Sequence, residues 1–270
     1  MFWKYFSFVK PLTDSNARGW LTGLPIAHRG LHDIDKGIPE NSMKAFEQAC
    51  QAGVAIELDL QTTEDGEIVV FHDLHLRRLT GVDKKITGCT WEELSTCRLQ
   101  NTDQFIPKLA DVLRLVNGRV PLLIEIKSAR CSGRTEQEIW NLLRPYKGLY
   151  AVQSFNPFSI GWFARHAPEV VRGQLSCRYT QDIILSWSRR MLANRFLFFF
   201  RSKPNFIAYE VNSLPSRRID NMRKKGMTVL AWTVQTKNEF LSCLPYADNV
   251  IFENLNVDDL SGLSRSVSSL

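Results

Sequence analysis

Cysteine is scarce and dispersed in this chain. The six thiols, Cys50, Cys89, Cys97, Cys131, Cys177 and Cys243, form no CxxC pair and stand among apolar stretches. That argues against a zinc site and a disulfide framework, and fits reduced thiols in a cytoplasmic protein. Long hydrophobic runs are missing too: none approaches the roughly 18 apolar residues that a spanning helix needs. The aromatic opening from Met1 to Lys10 is broken by Lys4, ends at Lys10-Pro11 and has neither a continuous apolar core nor a small-residue cleavage site. No secretory leader is expected from it. No repeat or low-complexity linker divides the chain, and no long heptad pattern points to a dimer. The basic residues are not organised with aromatics into a recognition module, which argues against a nucleic-acid partner. The expectation is a soluble, cytoplasmic protein that touches a membrane at most peripherally.

What is present is a globular composition. Of 270 residues, 44% are hydrophobic and 23% charged, enough to bury a sizeable core in one domain. The net charge of +6 fits an anionic partner or a generic basic surface equally well. Short apolar runs alternate with helical patterns. Strands are expected at 24–27, 54–60, 68–71, 120–126, 150–155, 170–175, 206–211, 227–234 and 250–252, and most read as continuously apolar, as in a parallel sheet buried on both faces. Capping-box patterns at Thr90-x-x-Glu93 and Thr135-x-x-Glu138 mark helix starts, and Gly118 follows a helical stretch from Leu109 to Val116. This many βα units at this length predicts an α/β fold, a (β/α)8 TIM barrel. It would occupy residues 23–258, with an N-terminal extension over 1–22 and a frayed serine-rich tail over 259–270.

The polar residues fall where such a barrel does its chemistry. Four of the five histidines, His28, His32, His72 and His75, lie within one short stretch. His28 follows the first strand, Glu57 and Asp59 end the second, His72 follows a neighbouring short strand, and Glu125 and Lys127 end the strand from Val120. In a (β/α)8 barrel the C-terminal strand ends converge on one mouth. Alternation along a strand puts Glu57 and Asp59 on one face, and likewise Glu125 and Lys127. Three carboxylates clustered in a barrel interior repel one another and are desolvated, so they call for a cation or raised pKa values. All-oxygen ligation suits Mg²⁺ or Ca²⁺. An imidazole pair, a guanidinium and a cation are together the parts of a phosphoryl-transfer site. His32 and His75, lacking thiolate neighbours, read as outer or surface groups.

The ordered set His28-Arg29-Gly30, Pro39-Glu40-Asn41-Ser42, Glu57-x-Asp59, Thr63-x-Asp65-Gly66, His72-Asp73, Leu76-x-Arg78-x-Thr80, Ile106-Pro107-x-Leu109, Glu125-x-Lys127, Ser154-Phe155-Asn156 and Ala231-Trp232-Thr233 resembles the glycerophosphodiester phosphodiesterase family from about Ile26 to Asn254. The resemblance implies metal-dependent hydrolysis of a small-molecule glycerophosphodiester to glycerol 3-phosphate and an alcohol. It makes His28 and His72 the general acid and base, sets Arg29 and Lys127 against the phosphate, and gives Glu57, Asp59 and Glu125 to the metal. In the family's proposed mechanism a neighbouring glycerol hydroxyl attacks first, giving a cyclic phosphate that water opens. Glu40 and Asn41 match a loop lining the site, where Asn41 or Ser42 could equally cap the following helix. Trp232 would wall the substrate pocket or simply pack. Where the family often has an aspartate after the last strand, this chain has Glu253.

The stretch from Ile183 to Lys203 combines Trp187 and Phe198-Phe199-Phe200 with Arg189, Arg190, Arg195 and Arg201. An outer barrel helix with snorkelling arginines is the preferred reading, and docking on an anionic membrane the alternative. The latter would accompany a phospholipase-D-like enzyme acting on lysophospholipids. A catalytically silent barrel that binds phosphodiesters is a third reading, disfavoured because both histidines and all three carboxylates are present.

Overall fold

The computed structural model describes residues 12, 15–128, 133–179 and 196–260. Two compact regions divide the chain, one formed by Ile26–Tyr150 and the other by the N-terminal segment through Pro25 with the residues from Ala151 onward.

In the first region β1 (Ile26–Ala27) and β4 (Leu122–Ile126) pair parallel with β2 (Ala55–Thr62), and β3 (Ile68–Val70) pairs antiparallel with it. The register sets Asp59 opposite Glu125. Helix α2 (Met43–Ala52) is capped by Ser42, whose hydroxyl accepts from the Ala45 N–H, and it closes on Gly53 in the left-handed region; such caps contribute about 1 kcal/mol each. The short helices α3 (Arg77–Thr80) and α4 (Trp91–Ser95) precede α5 (Leu109–Val116) and α6 (Arg134–Leu143). Helix α4 opens on the Thr90/Glu93 capping box that the sequence predicts. The chain from 71 to 106 is anchored by a separate apolar cluster that includes Val69, Phe71, Leu76, Leu79, Ile86 and Leu94, all fully buried or nearly so. That cluster fixes the loop carrying His72, Asp73 and Arg78.

In the second region β5 (Tyr150–Ser154), β6 (Arg172–Ser176), β7 (Phe206–Glu210), β8 (Thr228–Val234) and β9 (Asn249–Phe252) run parallel, each paired with the next. They alternate with α7 (Pro157–His166), α8 (Phe199–Ser202), α9 (Arg217–Arg223) and α10 (Lys237–Cys243). Helix α1 (Ser15–Gly23) packs on β9 and buries Trp20 and Leu21. The Asn249 amide donates to the Leu21 and Leu24 carbonyls, at 2.8 and 2.6 Å, satisfying acceptors left over at the helix end.

Eight parallel strands, three in one region and five in the other, with helices between them make this a (β/α)8 barrel, as the sequence predicts. Two local expectations need correction. The first strand is Ile26–Ala27 and not 24–27, because Leu24 N–H bonds back to Trp20 and Pro25 has no donor for a ladder. Helix α6 starts at Arg134, because the buried Glu136 carboxylate, and not Glu138, accepts from the N–H of Gly133 at the cap. Most of the stretch 183–203, and Cys131, lie outside the described residues. Of the remainder, Phe196 and Phe199 are buried and Phe200 is exposed, and the Arg201 guanidinium lies over the Phe158 ring. No helix among the described residues is long and apolar enough to cross a membrane.

Candidate active site and metal centre

Every expected site residue except Trp232 belongs to Ile26–Tyr150, and the chain is bent to bring them together. Just beyond β1, Arg29 and Gly30 both take left-handed backbone angles, with φ of 56° and 80°. A side chain on Gly30 would also meet the Ala45 Cβ at 2.9 Å and Phe46 at 3.0 Å, so only glycine fits. This turn aims two successive amides at β2: Arg29 N–H donates to the Glu57 carboxylate at 3.1 Å and Gly30 N–H to the Glu57 carbonyl at 3.2 Å. Asn41, also left-handed with φ of 54°, donates its backbone N–H to the Arg29 carbonyl and its side-chain amide to Asp59 at 2.9 Å. The helix is capped by Ser42, which leaves Asn41 free to orient a carboxylate.

Glu57, Asp59 and Gln61 alternate along β2 and are all buried, as is Glu125 on β4. One oxygen from each of Glu57, Asp59 and Glu125 lies within 4.8 Å of the others. Lys127 spans the gap, with Nζ 2.8 Å from Glu125 and 3.1 Å from Asp59, and Arg29 Nε lies 3.4 Å from the other Asp59 oxygen. Three carboxylates thus face two fixed cations, one of which, Arg29, is shared with Glu40 at 2.6 Å. Burial and the neighbouring charges of Asp59 and Glu125 push the Glu57 carboxyl well above the usual carboxylate range. Burial raises Glu125 to about 7, with Lys127 opposing and Asp59 adding to the rise. Burial works against ionising Asp59 as well, but Lys127, His72, Arg29 and His28 outweigh it and hold Asp59 low.

That arrangement fits a hard divalent cation. The donors are all oxygens, the buried Asp59 Oδ1 has the Lys127 ammonium at 3.1 Å but no aligned hydrogen bond, and the excess of negative charge is what an ion would offset. Among the described residues, this trio is the grouping suited to a metal, and neither His32 nor His75 belongs to it.

His72 follows β3, which runs back along β2 so that the Phe71 N–H donates to the Asp59 carbonyl at 2.9 Å. Burial lowers the His72 pKa, against the raising effect of Asp59. An ionisable imidazole kept neutral near pH 7 is suited to accept a proton. His28, half-buried beyond β1, acts electrostatically on Asp59. A cavity of about 680 Å³ is lined by His72, Asp73, Leu74, His75, Arg77, Arg78 and Lys127.

Three participants have no role in the sequence reading. Asp73 sits 2.7 Å from His72 Nδ1, Arg78 joins Asp73 to Glu40, and Gln61 Nε2 lies within hydrogen-bond distance of the Phe71, His72 and Asp73 carbonyls. The His72-Asp73 adjacency and the arginine one helical turn beyond were the available signal. In the second region Trp232 lies near the end of β8, half-buried, with its ring edge-on to Phe155 at 5.5 Å. Glu253, past β9, accepts from the Gln235 side chain.

A model of the glycerophosphoryl diester phosphodiesterase family matches residues 28–260. A glycerophosphodiester phosphodiesterase of Caldanaerobacter subterraneus is 28% identical over 230 residues, covering 80% of this chain and 87% of that protein. One from Bacillus altitudinis is 41% identical over 171 residues, 58% of this chain and 66% of that one. In shape the chain is similar to an Oleispira antarctica phosphodiesterase solved with its product sn-glycerol-3-phosphate, with a TM-score of 0.70, 21% identity and coverage of 98% and 99%.

Proposed function

Since the chain belongs to the glycerophosphoryl diester phosphodiesterase family and hydrolyses glycerophosphodiesters, we propose that it does so at the acidic cluster of β2 and β4. Glu57, Asp59 and Glu125 would hold Mg²⁺ or Ca²⁺, which when bound supplies positive charge to the phosphodiester as negative charge builds on it. Arg29 and Lys127 bind the phosphate oxygens beside it. One of His28 and His72 accepts a proton from the attacking oxygen, of water or of the neighbouring glycerol hydroxyl, and the other gives one to the leaving alcohol; in the second case water then opens the cyclic phosphate. Asn41 orients Asp59, and Glu40 holds Arg29. The products are glycerol 3-phosphate and the free alcohol.

The observation that supports this best is the convergence on Asp59. Glu57 and Glu125 each place an oxygen within 4.8 Å of it, Lys127 and Arg29 lie within ion-pairing reach, and His28 and His72 are close enough to shift its pKa. Two cations and two imidazoles, buried or half-buried around one carboxylate, have no packing purpose, since an apolar core would be cheaper.

The test is release of glycerol 3-phosphate from glycerophosphocholine and glycerophosphoethanolamine, and of choline from lysophosphatidylcholine, with Mg²⁺, Ca²⁺ or chelator, beside Glu57→Ala and His72→Ala. Metal-dependent turnover of the two soluble diesters, lost in both variants, is expected. Chelator-resistant turnover would overturn the metal assignment, and preference for the lysophospholipid would move the substrate to the membrane surface.

A further inference from the structure

The reaction proposed above uses His72 but gives no task to the carboxylate bound to it. His72 Nδ1 lies 2.7 Å from Asp73 Oδ1. Neighbouring side chains on an extended chain point apart, so this contact needs a held backbone. Gln61, buried on β2, provides it by placing its amide against the three carbonyls of 71–73.

Asp73 is itself gripped from behind. Arg78 Nε lies 2.6 Å from Oδ2 and Nη2 3.0 Å from Oδ1. The same guanidinium turns its outer edge to Glu40, with Nη1 at 2.7 Å and Nη2 at 2.8 Å. Glu40 in turn accepts from Arg29 Nη1 at 2.6 Å. The result is an alternating run of His72, Asp73, Arg78, Glu40 and Arg29. Arg78 is half exposed, and exposed ion pairs add little stability. Two bidentate contacts from one planar guanidinium instead fix geometry.

We infer that Asp73 is a positioning residue that locks His72 in the Nδ1–H tautomer, and that Arg78 and Glu40 keep it in register with Arg29. An ionised carboxylate only accepts hydrogen bonds, so the Nδ1 facing Asp73 must carry the proton. Nε2 is then left with its lone pair for proton exchange. Glu40 becomes the joint between the residue that binds phosphate and the one that moves the proton. The inference rests on His72 being the acid or base.

Asp73→Asn tests it sharply. Arg78 offers only donors, so it draws the amide oxygen and leaves the amide NH₂ against Nδ1. His72 must then accept there and carry its proton on Nε2. Nitrogen-15 spectra of the five histidines, assigned with His72→Ala at a pH where the rings are neutral, should show the Nδ1–H tautomer in the native protein and Nε2–H in Asp73→Asn. The kcat should fall about 100-fold or more with little change in KM. Asp73→Ala, which imposes no tautomer, should be the milder variant. Retention of the Nδ1–H tautomer in Asp73→Asn overturns the inference. So does an alanine variant worse than asparagine with KM and kcat both impaired, the mark of a merely structural role. If His72→Ala keeps its kcat, the acid–base reading fails instead, and the spectra still decide whether Asp73 sets the ring.

Discussion

The two regions bury polar groups in opposite ways. Residues 26–150 bury four carboxylates, Glu57, Asp59, Glu125 and Glu136, whereas the described residues of the other region bury none and carry Arg172 as their sole buried charge. The polar groups inside the second region close on the main chain. Gln174 donates to the Ser154 and Phe155 carbonyls, Asn249 to Leu21 and Leu24, and Arg172 to Pro168 and Val170. Glu136 in the first region does the same at its helix start. Glu57, Asp59 and Glu125 instead face one another, with fewer cations than carboxylates. A polar group satisfied by backbone serves the fold; one left short of counter-charge is built for a ligand.

The largest expected effect sharpens this contrast most. Glu57→Gln should reduce turnover by about 10³-fold while raising the stability of the metal-free protein by about 0.5–2 kcal/mol, because it deletes a charge that burial and like-charged neighbours oppose. Assay and thermal melts in chelator check the two signs together, and a destabilised variant would break the distinction. Asn41→Ala, which leaves an Asp59 oxygen without its donor, should weaken metal binding about 10- to 100-fold by titration calorimetry. Asn249→Ala is the counterpart in the other region: it removes the donor from the buried Leu21 carbonyl and the half-buried Leu24 carbonyl and should cost about 2 kcal/mol in denaturant unfolding, with kcat and metal affinity unchanged. Equal loss of metal affinity in both asparagine variants would erase the comparison.

The smallest effect concerns acid. Burial opposes ionisation of Asp73, but hydrogen bonds from Arg78 and His72 hold its pKa at about 2, and Glu40 is likewise low because Arg78 and Arg29 outweigh its burial. Both folded values lie below the unfolded ones, so their stabilisation is present above the ordinary carboxylate range and is lost as pH falls through the folded values. Melts from pH 6 to pH 2 should fall less steeply for Asp73→Asn than for the native chain.

The eight parallel strands were legible because buried parallel strands read as uninterrupted apolar runs, and the errors lay at element ends, as where Pro25 shortens β1 and Glu136 sets the start of α6. Glu57, Asp59, Glu125 and Lys127 were legible for a related reason: period-two alternation fixes their faces. Glu40, Arg78 and Asp73 could be quoted as a pattern but not joined. Their meeting depends on left-handed turns at Arg29 and Asn41 and on the reach of one guanidinium, neither of which has a periodicity. The Ser42 cap settled what the loop pattern left open, and freed Asn41 for Asp59.

The reversal of β3 along β2 has a consequence for how the site assembles. His72 follows Asp59 by thirteen residues, whereas Glu125 follows it by sixty-six. Closing the longer loop costs about 1.4 kcal/mol more in chain entropy by logarithmic scaling. The histidine is therefore tethered to its carboxylate by a local hairpin, while the third carboxylate of the proposed metal site must be found by a long-range search. A bound ion would act there as a clasp, favouring most the contact that the chain by itself finds hardest to make.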